Sequence, residues 1–190
     1  MESGEVATRL LKEAREEGGL MEKKIGFEAY EELLSRFKGI LLDILNGALI
    51  SMVLYGSVAR RQAERYSDID LLIILSEPPA SYYQRLQPVL EAMKRLKRTS
   101  IYVDLVGQGY NPYLSFLILS EEETRENRFI FLDMIDYSVI LFDRDGFIAE
   151  RLESLKRRLE ALGSKKVFLE DGSWYWDLKP DLVPGEVFEL

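Results

Sequence analysis

The chain contains no cysteine and no histidine among its 190 residues. Without cysteine it can form no disulfide bond and no thiolate zinc site, and without histidine it has no Ser-His or Cys-His catalytic pair. Any metal ion must therefore be held by oxygen ligands, which are the ligands that Mg²⁺ prefers. Any proton that moves during catalysis must pass to a carboxylate, to water or to a metal-bound group.

Long apolar segments are also missing. No apolar run approaches the roughly 20 residues of a membrane-spanning helix, and the first residues, MESGEVATRL, lack the apolar core of a signal peptide. We therefore expect a cytoplasmic protein that does not associate with membranes. The abundance of Glu, Arg, Lys and Leu, beside the absent cysteine, suggests a heat-adapted source.

An excess of positive charge is absent as well, since the formal net charge is −8 and the isoelectric point is about 4.8. Proteins that bind nucleic acid without sequence preference present a broad basic face, so this balance argues against general nucleic-acid binding. A local basic cluster is formed by Arg60, Arg61 and Arg65. These arginines either clamp a polyphosphate or form a solvated helix face beside Glu64.

The most informative stretch is Ser51–Leu75, which reads SMVLYGSVARRQAERYSDIDLLIIL. An apolar run ends at Gly56-Ser57, a polar segment follows, and a second apolar run begins after Asp68-Ile69-Asp70. This pattern predicts a strand, a tight turn, a short helix and a second strand. Because side chains alternate along a strand, Asp68 and Asp70 should face one side, about 6.6 Å apart along the backbone.

Each part of this pattern suits a nucleotide site. Gly56 lets the backbone approach a ligand closely because it has no Cβ. The amides that open the following helix, together with the Ser57 hydroxyl, favour a phosphate. Two carboxylates at the spacing of Asp68 and Asp70 can hold one or two divalent ions. A phosphate cradle beside such a pair is typical of Mg²⁺ bound with a nucleoside triphosphate.

The string GSVAR at Gly56–Arg60, followed by SDIDL at Ser67–Leu71, resembles the signature of the DNA polymerase β-like nucleotidyltransferases. It is most similar to that of the minimal nucleotidyltransferases, which include antitoxins. The chain departs from the family string at Arg61, where the family usually has glycine, and this bears on the backbone shape of the turn. The resemblance covers roughly residues 50–106.

The resemblance implies a third metal carboxylate on a later strand, and Asp104 in the apolar run Ile101–Val106 matches that place. The alternative is a solvated Asp on an edge strand. The resemblance also implies two Mg²⁺ ions and an NTP substrate, most readily ATP. The implied site residues are Asp68, Asp70 and Asp104 for metal binding and catalysis, and Gly56, Ser57, Arg60 and Ser67 for the nucleotide.

The periodicity of apolar residues predicts an α+β fold, and the resemblance implies a nucleotidyltransferase fold with a mixed β-sheet flanked by helices. Helices are predicted over Glu5–Glu17, Phe27–Leu45, Ser81–Arg98 and Phe147–Leu162, and the region Phe129–Ile135 favours a helix. Pro88 should kink the third of these or delay its start. We expect a helical segment over residues 1–24, a nucleotidyltransferase core over 25–110 and a C-terminal α/β extension over 111–190.

The function that these features imply is Mg²⁺-dependent transfer of a nucleoside monophosphate to an acceptor hydroxyl. The resemblance implies a partner toxin of the HEPN type as one acceptor; small molecules and RNA ends are others. A non-catalytic interaction module, or a nucleotide sensor that binds a partner protein, is the alternative. The tail Trp174-Tyr175-Trp176 is interpreted as an aromatic cap on the core, with base stacking as the alternative.

Overall fold

The computed structural model describes residues 24–126, 128–170 and 173–188. The predicted helix over Glu5–Glu17 lies outside these ranges. The helices are α1 (Glu31–Leu45), α2 (Gly56–Ala59), α3 (Tyr82–Leu96), α4 (Ser100–Gly107), α5 (Glu121–Arg125), α6 (Ile130–Asp136) and α7 (Phe147–Ala161) in the described part of the chain. The strands there are β1 (Leu49–Tyr55), β2 (Ile69–Leu75), β3 (Leu114–Ser120), β4 (Val139–Asp143), β5 (Lys165–Phe168) and β6 (Trp174–Asp177).

The centre of the fold is a four-stranded mixed sheet with the strand order β3-β2-β1-β4. Strand β1 runs antiparallel to both β2 and β4, whereas β2 and β3 are parallel. The parallel pair is joined by α3 and α4, as a parallel connection requires a crossover. The two central strands are buried along almost their whole length, which explains why both read as continuous apolar runs.

Helices cover both faces of this sheet. Side chains of α1 and α3 form one core with the face of β2 that carries Leu71 and Ile73. Side chains of α6 and α7 form a second core with the opposite face, which carries Leu72 and Ile74. Because residues two apart on a strand share a face, Asp70 belongs to the second of these faces, the one that α6 and α7 cover.

Most of the predicted elements are confirmed. The predicted helix over Phe27–Leu45 is a 3₁₀ turn followed by α1, and its apolar stripe is buried. Helix α3 begins at Tyr82 with Pro88 inside it, so the proline does not delay the start of the helix. The strand–turn–helix–strand prediction for Ser51–Leu75 matches β1, α2 and β2.

The predicted strand over Ile101–Val106 is wrong, because these residues lie in helix α4. The helix is started by Thr99, whose side chain accepts a hydrogen bond from the Tyr102 backbone amide, which is the usual role of an N-cap residue. The later strand that pairs with β2 is instead β3. Strand β3 contains the apolar run Leu114–Leu119, whose length is compatible with either a strand or a buried helical segment.

The division of the chain at residue 110 stays a prediction. Both β3 and β4 lie after that residue and pair with β2 and β1 in the central sheet, so the segment from 111 onward completes the sheet as well as extending it. Strands β5 and β6 form a separate antiparallel pair. None of the helices in the described ranges is long and apolar enough to cross a bilayer.

Candidate nucleotide site

The turn after β1 is in direct contact with Asp70, the second acid of the Asp68-Ile69-Asp70 string. Gly56 has a φ of +73°, and a Cβ at this position would collide with the Asp70 carboxylate. Glycine is therefore needed here for two reasons, the left-handed backbone and the space that the carboxylate occupies. Ser57 follows as a partly exposed residue of the short helix α2. The turn and the carboxylate thus form one compact unit.

Asp68 and Asp70 lie at the N-terminal end of β2, where Asp68 is exposed and Asp70 is partly buried. Burial raises the pKa of Asp70 above its ordinary value, and the negative charge of Asp68 acts in the same direction. A hydrogen bond from the Ser115 hydroxyl and the positive charge of Arg60 oppose that rise in pKa. The two acids are therefore close enough to repel each other, as ligands of a shared cation would be.

A row of hydroxyl-bearing residues crosses the sheet at Asp70. Tyr55 on β1 pairs with Asp70, and Asp70 pairs with Ser115 on β3. Burial raises the pKa of Tyr55 to about 12, with the charge of Asp70 as the next contribution. The Tyr55 phenol therefore stays protonated at neutral pH and is available as a hydrogen-bond donor near the carboxylate.

Arg60 ties the motif to the helix that covers this face of the sheet. Its Nη1 donates to Oδ2 of Asp133 on α6 at 2.8 Å, and both side chains are mostly buried. The other Asp133 oxygen, Oδ1, is buried without a hydrogen-bond partner among the described residues. Arg60 is therefore held between an acid of α6 and the Asp70 carboxylate, whose pKa its charge lowers.

The other residues of the polar segment have structural partners. Arg61 forms an ion pair with Glu28 and has a φ of +58°, so it adopts the left-handed backbone that glycine favours. Arg65 lies over the ring of Tyr110. Ser67 accepts a hydrogen bond from the Glu64 amide, which closes the loop before β2. A nucleotide-binding role for Ser67 stays a prediction, and of the three arginines Arg60 is the one placed beside the acids.

The structure does not bring Asp104 to the other two acids. It is an exposed residue of α4, and the buried side of α4, through Ile101 and Leu105, packs against the core on the opposite face of the sheet from Asp70. Among the described residues, no group of three or more acidic side chains is placed to hold a metal ion. The prediction that Asp104 lies beside Asp68 and Asp70 is therefore wrong, and a metal-binding role for Asp68 and Asp70 stays a prediction.

The pair of carboxylates fits one Mg²⁺ ion that is bound together with a nucleotide. Mg²⁺ is usually held by one or two carboxylates plus the phosphate oxygens of a substrate, and Asp68 and Asp70 supply the carboxylates. The Asp70 carboxylate occupies the space over Gly56, so an ion held by Asp70 would lie next to the Gly-Ser turn. Two carboxylates give less support to the second Mg²⁺ ion that the resemblance implied.

Three residues of this site were missed from the sequence. Ser115 and Tyr55 reach Asp70 through strand pairing, which the sequence did not reveal. Asp133 reaches Arg60 from a distant helix. A signal was present for Asp133, because it is an acid within the apolar run Phe129–Ile135, and a buried acid needs a partner.

A separate cavity of about 280 Å³ lies in the C-terminal part of the chain and involves none of these acids. The Lys166 ammonium lies 3.8 Å from the centre of the Trp174 ring, and Trp176 packs against the second core. Within the tail, Trp176 therefore packs on the core, whereas Tyr175 is exposed. The apolar residues that line the cavity are Phe129, Leu132, Trp174, Trp176 and Leu178.

Comparison with known proteins identifies the family of the chain. The model of the nucleotidyltransferase domain family matches residues 34–137, which include β1, β2, β3 and both acids. The chain belongs to the nucleotidyltransferase domain family. It is an enzyme of the transferase class, and its α+β fold is the nucleotidyltransferase fold that the sequence motif implied.

A relative of this nucleotidyltransferase in Methanocaldococcus jannaschii carries the name "Putative protein adenylyltransferase MJ1305". The two are 27% identical over 157 residues, which is 80% of this chain and 93% of the relative. A solved "putative nucleotidyltransferase" from Sulfolobus solfataricus is 18% identical, with 67% of this chain and 95% of that chain covered and a TM-score of 0.38. A chain from the complex of a tri-AMPylated Shewanella oneidensis HEPN toxin with an MNT antitoxin is 16% identical, with 67% and 88% covered and a TM-score of 0.35.

Proposed function

We propose that this nucleotidyltransferase transfers adenosine monophosphate from ATP to a hydroxyl group of a protein, with Mg²⁺ bound at Asp68 and Asp70. The observation that carries the proposal is the contact between the Gly56 turn and the Asp70 carboxylate, which puts the proposed phosphate-binding turn next to the proposed metal ligand. The preference for ATP and for a protein acceptor is supported by the name of the relative whose alignment covers 80% of this chain at 27% identity.

In this proposal the turn at Gly56 and Ser57 holds the β- and γ-phosphates, and Asp68 and Asp70 hold the Mg²⁺ ion. The ion, when bound, neutralises the charge that develops on the leaving pyrophosphate. Arg60, held in place by Asp133, directs its positive charge towards the phosphates beside Asp70.

The reaction is an in-line displacement at the α-phosphorus. The acceptor oxygen forms a bond to this phosphorus while the bond from phosphorus to the bridging oxygen of the β-phosphate breaks. Pyrophosphate leaves with the electron pair, and the proton of the acceptor hydroxyl passes to solvent. The chain contributes mainly by positioning the reactants, as in other phosphoryl-transfer enzymes.

A HEPN-type toxin is the protein acceptor that we propose, because the signature at Gly56–Leu71 resembles that of the minimal nucleotidyltransferase antitoxins. The HEPN ribonuclease site requires a histidine, and this chain has none. The described sequence therefore does not carry the HEPN active site itself.

The test is transfer of label from α-³²P-ATP to candidate proteins in the presence of Mg²⁺, followed by mass spectrometry of the labelled acceptor. Asp68→Asn and Asp70→Asn should each lower the transfer rate by at least about 100-fold, since each removes charge stabilisation at the reacting centre. Asp104→Asn is the matched control and should leave the rate unchanged, because Asp104 is exposed on α4. Unimpaired transfer by the first two variants would refute the proposal.

A further inference from the structure

None of the residues that neighbour the two acids on β1 and β3, or directly before β3, carries a carboxylate. Tyr55 and Ser115 flank Asp70 on β1 and β3. Ile69 pairs with Leu114 in parallel register, so the residue beside Asp68 is Tyr113, whose backbone oxygen accepts from the Ile69 amide. Neighbouring strands are only about 4.8 Å apart, so these three residues are the nearest candidates for a further ligand, and each offers a neutral hydroxyl.

Ser115 is the position best placed to complete a metal site. It shares the sheet face of Asp70, because paired residues of adjacent strands point to the same side. The next β3 residues on that face, Leu117 and Leu119, contribute to the core under α6 and α7. A carboxylate at 115 would therefore stand at the open end of this face, directly beside Asp70.

No other acid in the described ranges replaces it. Asp104 lies on a helix that packs on the opposite face of the sheet. Asp133 lies over the same face of the sheet as Asp70, but it already forms an ion pair with Arg60 at 2.8 Å. The absence of any group of three acidic side chains in the described part of the chain agrees with this.

We propose that Ser115 limits this site to one tightly bound divalent ion, because it places a neutral hydroxyl at the sheet position where a second ion would need a carboxylate of its own. The proposal rests on the function proposed above. It departs from the two ions that the sequence motif implied, and it assigns Ser115 as the residue that determines how many ions the site holds.

Charge explains why one hydroxyl decides the number of ions. The positive charge of an ion bound with the nucleotide would be balanced by the phosphates as well as by Asp68 and Asp70. A second ion would have to share those two carboxylates, with the positive charge of Arg60 close to Asp70. One added carboxylate at about 4 Å from a divalent ion gains at least about 1–2 kcal/mol even at high dielectric, which corresponds to about tenfold or more in affinity.

The experiment counts Mn²⁺ ions by electron paramagnetic resonance, with Mn²⁺ and the non-hydrolysable ATP analogue α,β-methylene-ATP as probes. The protein is first saturated with the 1:1 complex of Mn²⁺ and analogue, and further Mn²⁺ is then titrated. Wild type should bind no additional ion below about 1 mM, whereas Ser115→Asp should bind one additional ion at least about tenfold more tightly. Ser100→Asp adds the same charge on exposed α4 and should behave as wild type.

The outcomes separate this inference from the proposed function. Two ions on the wild-type complex would overturn the role of Ser115 but leave the proposed function intact. No binding of the Mn²⁺ complex at all would overturn the proposed function and this inference with it. A folded Ser115→Asp variant without an additional ion would also overturn the inference. If that variant does not fold, Ser115→Glu takes its place, and the ion count of wild type still decides.

Discussion

Gly56→Ala tests whether the Gly-Ser turn and the metal carboxylate form a single unit. The chain supplies a matched control in Gly146, which begins helix α7 with the same φ of +73°. A Cβ at Gly146 would meet nothing within 4 Å, whereas a Cβ at Gly56 would collide with the Asp70 carboxylate. Comparison of the two alanine variants therefore isolates the contact with Asp70 from the effect of the backbone.

The size of the effect follows from these two terms. Both variants place an L-residue in the left-handed region, which costs about 1–2 kcal/mol. Gly56→Ala must also displace Asp70, and overpacking of this kind costs about 1–3 kcal/mol more. For a protein of this size the melting temperature falls by about 2–4 °C per kcal/mol. We therefore expect Gly56→Ala to melt about 2–12 °C below Gly146→Ala.

A double-mutant cycle with Asp70→Ala identifies the source of the difference. In the Asp70→Ala background the colliding carboxylate is gone, so the cost of Gly56→Ala should fall to that of Gly146→Ala. The free energy of unfolding is measured by urea titration with circular dichroism, and the coupling should be about 1–3 kcal/mol. If Gly56→Ala is no more destabilising than Gly146→Ala, or if the cost persists without Asp70, the contact does not have the importance that we give it.

Three further predictions concern the rest of the site. Arg61→Gly should be more stable towards urea than Arg61→Ala by about 1–2 kcal/mol, since both lose the ion pair but only glycine relieves the left-handed backbone; equal stability would contradict this. Asp133→Asn should lower stability by about 1–3 kcal/mol through loss of the Arg60 partner and reduce the thermal shift given by ATP with Mg²⁺, whereas Asp136→Asn on the same helix should leave that shift unchanged. The pKa of Asp70 is raised on folding, so its ionisation destabilises the folded state at pH values above the folded pKa. At pH values below the unfolded pKa of about 3.9 this destabilisation is absent, because the carboxyl is protonated in both states. Asp70→Asn should therefore raise the melting temperature at pH 7, with the gain disappearing near pH 3.

The sequence alone determined the local part of this protein. The string from Gly56 to Asp70 specified a strand, a turn, a short helix and a second strand, because the breaks between apolar runs fall where the backbone must turn. The same string placed Asp68 and Asp70 on one face, since strand alternation needs no tertiary information. The helices with clear apolar stripes, such as α1, α3 and α7, were predictable for the same reason.

Tertiary structure decided what stands next to Asp70. The runs Ile101–Val106 and Leu114–Leu119 are both short and apolar, and local preference does not tell which of them pairs with β2. In the folded chain the run Leu114–Leu119 pairs with β2. Ser115 therefore lies beside Asp70, and Asp104 lies on a helix over the other face of the sheet. The Arg60–Asp133 pair likewise joins residues 73 positions apart. Contacts of this kind depend on which elements pack together across the sheet, and this packing cannot be predicted from the order of residues along the chain.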